Sequence, residues 1–235
     1  HGGSIHYDGS ALSGRIYFVL EGLLERMTDR LVFVSRYEMD GYRAKVGSPR
    51  CPSTLVYNGL RQQEFEPVPA EPSGSDFLYI GMMRDLKGVD VFLKAFASLP
   101  GDGNGPTAQL VGDGPDKPGY AAMIEELGIS NRIVMHDAMP AREAFKLARR
   151  VVVPSRAESM PYIVLEAMAA GKPIICTAVG GIPEIFQGEE DALVPPSDPE
   201  ALAKAMQVSL NDQSLDETAE RRRLQIRKRF SVEVM

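Results

Sequence analysis

No stretch of this 235-residue chain approaches the roughly 20 consecutive apolar residues that a helix needs to cross a bilayer, so no membrane-spanning helix is expected. The opening His1-Gly2-Gly3-Ser4 lacks the basic region and following apolar run of a signal peptide. Only two cysteines occur, Cys51 and Cys176, too far apart for a disulfide framework or a metal-ligand pattern and compatible with a reducing cytoplasm. There is no positive excess: the net charge of −6 argues against general nucleic-acid binding. No Gly-x-Gly-x-x-Gly follows a strand, which places a nicotinamide-dependent oxidoreductase far down the order of readings. No internal repeat or low-complexity tract is found.

What the chain does have is alternation. Leu31–Val34, Leu55–Tyr57, Phe77–Ile80, Ala108–Val111, Arg132–Met135, Val151–Val153 and Pro173–Cys176 read as strands. Between them, Val89–Leu99, Tyr120–Leu127, Arg142–Arg149 and Ile163–Ala170 have helical spacing of apolar residues. This pattern predicts an α/β fold, a Rossmann-like doubly wound parallel sheet whose ligands sit at the carboxyl ends of the strands. Residues 61–75 are polar, proline-rich and aperiodic and read as a linker. Before it stand two strands and two helices, too little for a doubly wound domain alone, so further strands of that unit are expected upstream of His1.

Four strand-end loops could carry chemistry. In Glu158-Ser159-Met160-Pro161-Tyr162, Pro161 suits the first position of a helix, placing Glu158 in a loop and Glu166 in the helix's second turn. Backbone N–H groups at such a helix start attract phosphate. Taken singly, each carboxylate is better read as a local cap or a solvated helix residue. The run Gly81-Met82-Met83-Arg84-Asp85-Leu86-Lys87-Gly88 puts two cations at the same sheet mouth, although a solvated basic turn is as good a reading of that loop alone. Gly112-Asp113-Gly114-Pro115 and Gly180-Gly181-Ile182-Pro183-Glu184 complete the set; either glycine pair alone can be turn chemistry. Four such loops on one sheet edge weigh more than any one.

In this order the motifs resemble those of the retaining glycosyltransferases of family GT4, which have the GT-B fold. Glu158 and Glu166 match its Glu-x7-Glu signature, and Lys87-Gly88, Gly-Asp-Gly-Pro, Glu166-Ala-Met-Ala-x-Gly and Gly-Gly-x-Pro-Glu match in sequence. Val34-Ser35 and Asn58-Gly59 are similar to the usual ending of the family's N-domain. The resemblance divides the chain into an acceptor-domain remnant (1–58), a linker (59–75) and a nucleotide-sugar-binding domain (76–235). It implies that Glu158 contacts the donor sugar near the reacting carbon and that Glu166 binds the ribose hydroxyls. Gly81, Arg84 and Lys87 would hold the diphosphate, and Ser159, Met160, Pro161 and Tyr162 would line it. Met135 and His136 would meet the base through their backbone, Glu184 would shape the sugar-side wall, and His1 resembles a functional histidine late in the N-domain.

Two departures stand out: many relatives place the phosphate arginine directly after the glycine, where this chain has Met82, and the N-terminal glycine-rich loop is missing. No Asp-x-Asp and no His/Cys ligand spacing occur, so no cofactor or metal is expected and Arg84, Lys87 and the helix start take the ion's place. The expected partners are a donor, UDP- or GDP-sugar foremost, and a glycan or lipid-linked acceptor, in the cytoplasm. Alternatives are a nucleotide-sugar-binding module without transfer, and a phosphorylase or epimerase of the same fold. Arg221-Arg222-Arg223 and Arg227-Lys228-Arg229 read first as a solvated helix face; peripheral contact with an anionic inner membrane face is the minority reading. Met82, Met83, Met160 and Met168 read as packing residues.

Overall fold

The computed structural model describes residues 12–101 and 105–234. Among these residues, seven strands form two parallel sheets. The first pairs β1 (Leu31–Phe33) with β2 (Ser53–Leu55). The second has five strands, β3 (Ser75–Ile80), β4 (Ala108–Val111), β5 (Ile133–His136), β6 (Ala148–Val153) and β7 (Ile174–Cys176), in the spatial order β5-β4-β3-β6-β7. All its pairings are parallel. All seven strands expected from the apolar runs are present, within a few residues at their ends.

The five-stranded sheet is buried on both faces, which is why its strands read as continuous apolar runs. Phe77 and Tyr79 of β3, Leu110 of β4 and Val152 of β6 turn to one side, against α3 (Val89–Ala97), α4 (Lys117–Glu126) and α8 (Pro199–Asn211). Leu78, Val111, Val151 and Val153 turn to the other, against α6 (Tyr162–Ala169) and α9 (Leu215–Phe230). Strand order reverses between β3 and β6, and in sheets of this type the crevice beyond the carboxyl ends of such a pair is where ligands bind. A short α5 (Ala141–Ala144) precedes β6, and a single-turn α7 (Ile182–Ile185) follows β7. The helix expected over Arg142–Arg149 is cut short because a tight turn at Phe145–Leu147 leads directly into β6, which needs Ala148 and Arg150 as partners of Ser75 and Phe77.

In the first unit, α2 (Arg36–Lys45) starts with a reciprocal cap: Ser35 Oγ accepts from Glu38 N at 3.0 Å and Glu38 Oε2 accepts from Val34 N at 2.9 Å. The helix α1 (Leu12–Leu24) leaves Leu12, Val19 and Leu24 exposed.

The proline-rich stretch joining the sheets is anchored. Phe65 and Val68 are buried in the core of the five-stranded unit, and the Val68 amide donates to Ala170 O at 2.9 Å. The end of α9 returns to this junction: Leu60 N donates to Phe230 O at 2.7 Å, Val232 N donates to Leu60 O at 3.0 Å, and Tyr57 meets the Phe230 ring edge-on. The basic runs of α9 are largely paired within the protein. Arg221 and Arg222 bind Glu189, Arg223 binds Glu220 and Phe65 O, and Arg229 binds the carbonyls of Glu184 and Ile185.

Candidate functional site

Beyond the carboxyl ends of β3 and β6 lies a cleft of about 580 Å³. Its walls include Gly81 and Lys87 from the loop after β3, Ser155 and Glu158 from the loop after β6, and Pro161, Tyr162 and Glu166 from the start of α6. Met139 and Ala141 close the side toward β5. Two of the four loops singled out by their residues thus line the cleft, while the 112–115 turn packs against Gly81 and Met83 and the Gly180-Gly181 turn against Glu158 and Ser159.

Tight backbone contacts build the wall. Gly88 has φ 66°, and a Cβ there would lie 2.1 Å from Pro154 O, so the loops after β3 and β6 touch at their main chains. Gly180 has φ 59°, and a Cβ there would lie 1.6 Å from Glu158 O; the Gly180-Gly181 turn is pressed against the main chain of Glu158 and Ser159. Arg156 ties the same loops by side chain, bonding Asp90 Oδ2 at 2.8 Å and the Asp85 carbonyl, while its amide donates to Leu86 O.

At the centre, Lys87 Nζ lies 2.7 Å from Glu158 Oε1, and Ser155 Oγ donates to the same oxygen at 2.7 Å. Glu158 is 8% exposed. Its Oε2 has no protein partner among the described residues, so only one of the two carboxylate oxygens is fixed. Glu166 lines the cleft from the second turn of α6. Burial, and then the charge of Glu64, push its carboxyl above the usual carboxylate range. Tyr79, whose hydroxyl donates to Met82 O at 2.9 Å, is held in the neutral form mainly by burial. Among the described residues no group of three His, Cys, Asp or Glu side chains is arranged to hold a metal ion.

Of the residues singled out in the sequence, Gly81, Lys87, Glu158, Pro161, Tyr162 and Glu166 therefore share one cleft. Arg84 is exposed outside the lining, and its guanidinium makes no hydrogen bond or ion pair with the described residues. Met160 is buried in the core, and Ser159 lies beside it with its carbonyl accepting from Gly181 N at 2.8 Å. Met135 and His136 are also outside the lining. The His136 ring is 2.6 Å from Gln109 Oε1, and its carbonyl accepts from Gly112 N and Lys117 Nζ. Glu184 faces the first unit instead of the cleft: its carboxylate accepts from the amides of Arg36 and Tyr37 and from Tyr57 Oη. His1 lies outside the described residues. Pro161 takes the cap position, and helical residues begin at Tyr162.

Ser155 and Arg156 were missed by the sequence reading. The Ser-x-x-Glu spacing of Ser155 and Glu158 is a visible signal, whereas nothing local marks Arg156 as the brace between Asp85 and Asp90.

The sequence pattern of the family described as "Glycosyl transferases group 1" matches residues 74–212, more than half of the chain. Among curated relatives, D-inositol 3-phosphate glycosyltransferase of Corynebacterium glutamicum (strain R) is 35% identical over 150 residues, covering 60% of this chain and 35% of that protein. The chain thus spans little more than a third of that relative's length. Among solved structures, sucrose-phosphate synthase from Thermosynechococcus elongatus superposes with a TM-score of 0.84 at 24% identity, covering 99% of this chain and 62% of the other. HepE from Anabaena, solved in complex with UDP-glucose, superposes with a TM-score of 0.81 at 20% identity, covering 97% of this chain and 66% of the other.

Proposed function

This chain belongs to the group 1 glycosyl transferases, and from that premise we propose that its cleft binds a nucleotide-diphosphate sugar and positions it for transfer with retention to a glycan or lipid-linked acceptor. The observation that carries the reading is the convergence of Lys87, Glu158, Glu166 and the first turn of α6 on one cleft at the point where strand order reverses.

Each part has a physical task. Breaking the bond between the anomeric carbon and the diphosphate oxygen leaves negative charge on the phosphate and positive charge on the sugar. Lys87 and the N–H groups at the start of α6 stabilise the departing diphosphate, and they cost no reorganisation because Glu158 already holds the ammonium in place. The free Oε2 of Glu158 accepts a sugar hydroxyl close to the reacting carbon. Glu166, once ionised, accepts the ribose hydroxyls. In transfer with retention the acceptor oxygen bonds to the anomeric carbon on the face the phosphate leaves, and the acceptor's proton passes to the departing phosphate oxygen. UDP-sugar is the first donor to try, since HepE is solved with UDP-glucose. Arg84 and His1 are proposed only as contacts that a bound donor would recruit.

Calorimetric titration with UDP-, GDP- and ADP-glucose tests the reading. At least one should bind, and Lys87→Ala or Glu166→Ala should weaken it by about tenfold or more, the worth of one charge-assisted hydrogen bond. Binding that survives both substitutions overturns the assignment.

A second reading is that the chain binds donor without transferring sugar. It is favoured by the first unit, which has two strands among the described residues and an α1 whose apolar side chains, Phe18 apart, stay exposed. Bound donor with no release of free nucleotide diphosphate in the presence of glycan acceptors would select it.

A further inference from the structure

Glu184 stands in the single-turn helix α7 after β7, on the side of the five-stranded sheet, yet all its side-chain bonds cross to the first unit. Oε2 accepts from Arg36 N at 2.9 Å and from Tyr57 Oη at 3.1 Å, and Oε1 accepts from Tyr37 N at 2.8 Å. Arg36 and Tyr37 are the first two residues of α2, whose amides have no partner within their own helix. An intrahelical cap already serves the next donor, because Ser35 Oγ accepts from Glu38 N. The carboxylate from the other unit therefore completes the cap, and its charge sits at the positive end of the α2 dipole.

The turn leading into α7 is fixed to the cleft. Gly180 presses on the Glu158 carbonyl, Gly181 N donates to Ser159 O at 2.8 Å, and a Cβ on Gly181 would come 3.1 Å from Ser35 Cβ. The first unit makes a second tie at this point: Asn58 Nδ2, in a buried side chain, donates to Met160 O at 2.7 Å. The loop carrying Glu158 is thus held between the Gly180-Gly181 turn and Asn58.

We infer that Glu184 is a positioning residue: it clamps the start of α2 to the 180–184 segment and so sets the placement of the Glu158 loop by the seating of the first unit. A shift of α2 pulls on Glu184, and the rigid glycine turn passes the movement to Glu158 and Ser159. The carboxylate with its free oxygen is then in register with the sugar only when the two units are seated. The clamp is a property of the fold; its effect on sugar binding rests on the donor reading of the cleft.

Residue-resolved amide exchange on the full chain without ligand tests the clamp. In Glu184→Ala the amides of Arg36, Tyr37 and Gly181 should exchange about tenfold faster or more, with Leu110 in β4 within about twofold of the parent. Glu184→Gln keeps one good acceptor and should fall between; it serves also if the alanine variant fails to fold. Tyr57→Phe removes only the phenol bond and should leave Arg36 and Tyr37 protected.

Binding of UDP and of UDP-glucose to the same proteins tests the coupling. Glu184→Ala should weaken UDP-glucose by about tenfold and UDP by clearly less, because the sugar reaches Glu158 directly whereas the diphosphate feels it only through Lys87. Unchanged exchange at Arg36 and Tyr37 overturns the clamp. Faster exchange there, with Gly181 and the ratio of the two affinities unmoved, reduces Glu184 to a helix cap and overturns the coupling. A parent chain that binds none of UDP-, GDP- and ADP-glucose sinks the donor reading, while the exchange of Arg36, Tyr37 and Gly181 still decides the clamp.

Discussion

Lys87 and Glu158 come from loops 71 residues apart in sequence and meet at 2.7 Å, with the carboxylate almost fully buried and the ammonium at the cleft wall. Removing one partner of such a pair leaves a buried charge uncompensated. Lys87→Met should cost about 2–4 kcal/mol of unfolding free energy, somewhat below the range for a fully buried pair because Lys87 is partly exposed. Adding Glu158→Gln should recover most of that stability without recovering nucleotide binding. Denaturant melts and calorimetry on the single and double variants read the two effects separately.

Glu166 has its carboxyl pushed up by burial and by Glu64, and the sign of its pH effect follows. A raised folded value means that the native state binds more protons than the unfolded chain over the interval above the ordinary carboxylate value, so stability falls as pH rises through that interval. Glu166→Gln removes this penalty. Its stability relative to the parent should therefore improve as pH rises above the ordinary carboxylate range, and urea melts at several pH values would reveal a flat difference if burial exerts no such effect.

Lys172 is buried and donates to Phe145 O at 2.8 Å and Ala148 O at 2.6 Å, at the opposite end of the sheet from the cleft. Burial pulls its ammonium down to about 8. The unfolded chain then holds the proton more tightly, and this residue's contribution to stability should rise between about pH 8 and pH 10.5, by an amount of order 1–3 kcal/mol. Lys172→Met should abolish the rise and cost stability at neutral pH, because two carbonyls lose their donor.

Two glycine substitutions should have opposite outcomes. Gly180→Ala places a Cβ 1.6 Å from Glu158 O in a left-handed backbone, and should cost about 2–3 kcal/mol or more and distort the cleft. Gly119 lies within α4 with nothing within 4 Å of an added Cβ, so Gly119→Ala should stabilise by about 0.4–1 kcal/mol. Thermal unfolding of both variants checks the pair.

The legible part of this protein was periodic or local. The strand runs carry both faces of a buried sheet, so Phe77–Ile80 and Val151–Val153 could be named as strands from composition alone. Alternation with amphipathic segments fixed the parallel topology, and strand-end position picked out Gly81, Lys87, Glu158 and Glu166 as a group. The misjudged helix end at Ala148 and Arg149 was a competition between helical spacing and strand pairing, and pairing partners are remote in sequence.

By itself, then, the chain's order of residues determined the fold class, the edge of the sheet at which the cleft opens and the cation and carboxylates placed there, because these depend on side-chain period and on loops that follow strands. Only the tertiary structure decided that Ser155 and Lys87 share one oxygen of Glu158, that Arg156 braces the loops, that the proline-rich stretch is packed, and that Glu184 turns away from the cleft to cap α2. Each of these is a contact between segments distant along the chain, set by how the layers pack, and no local pattern records which partner a side chain will meet.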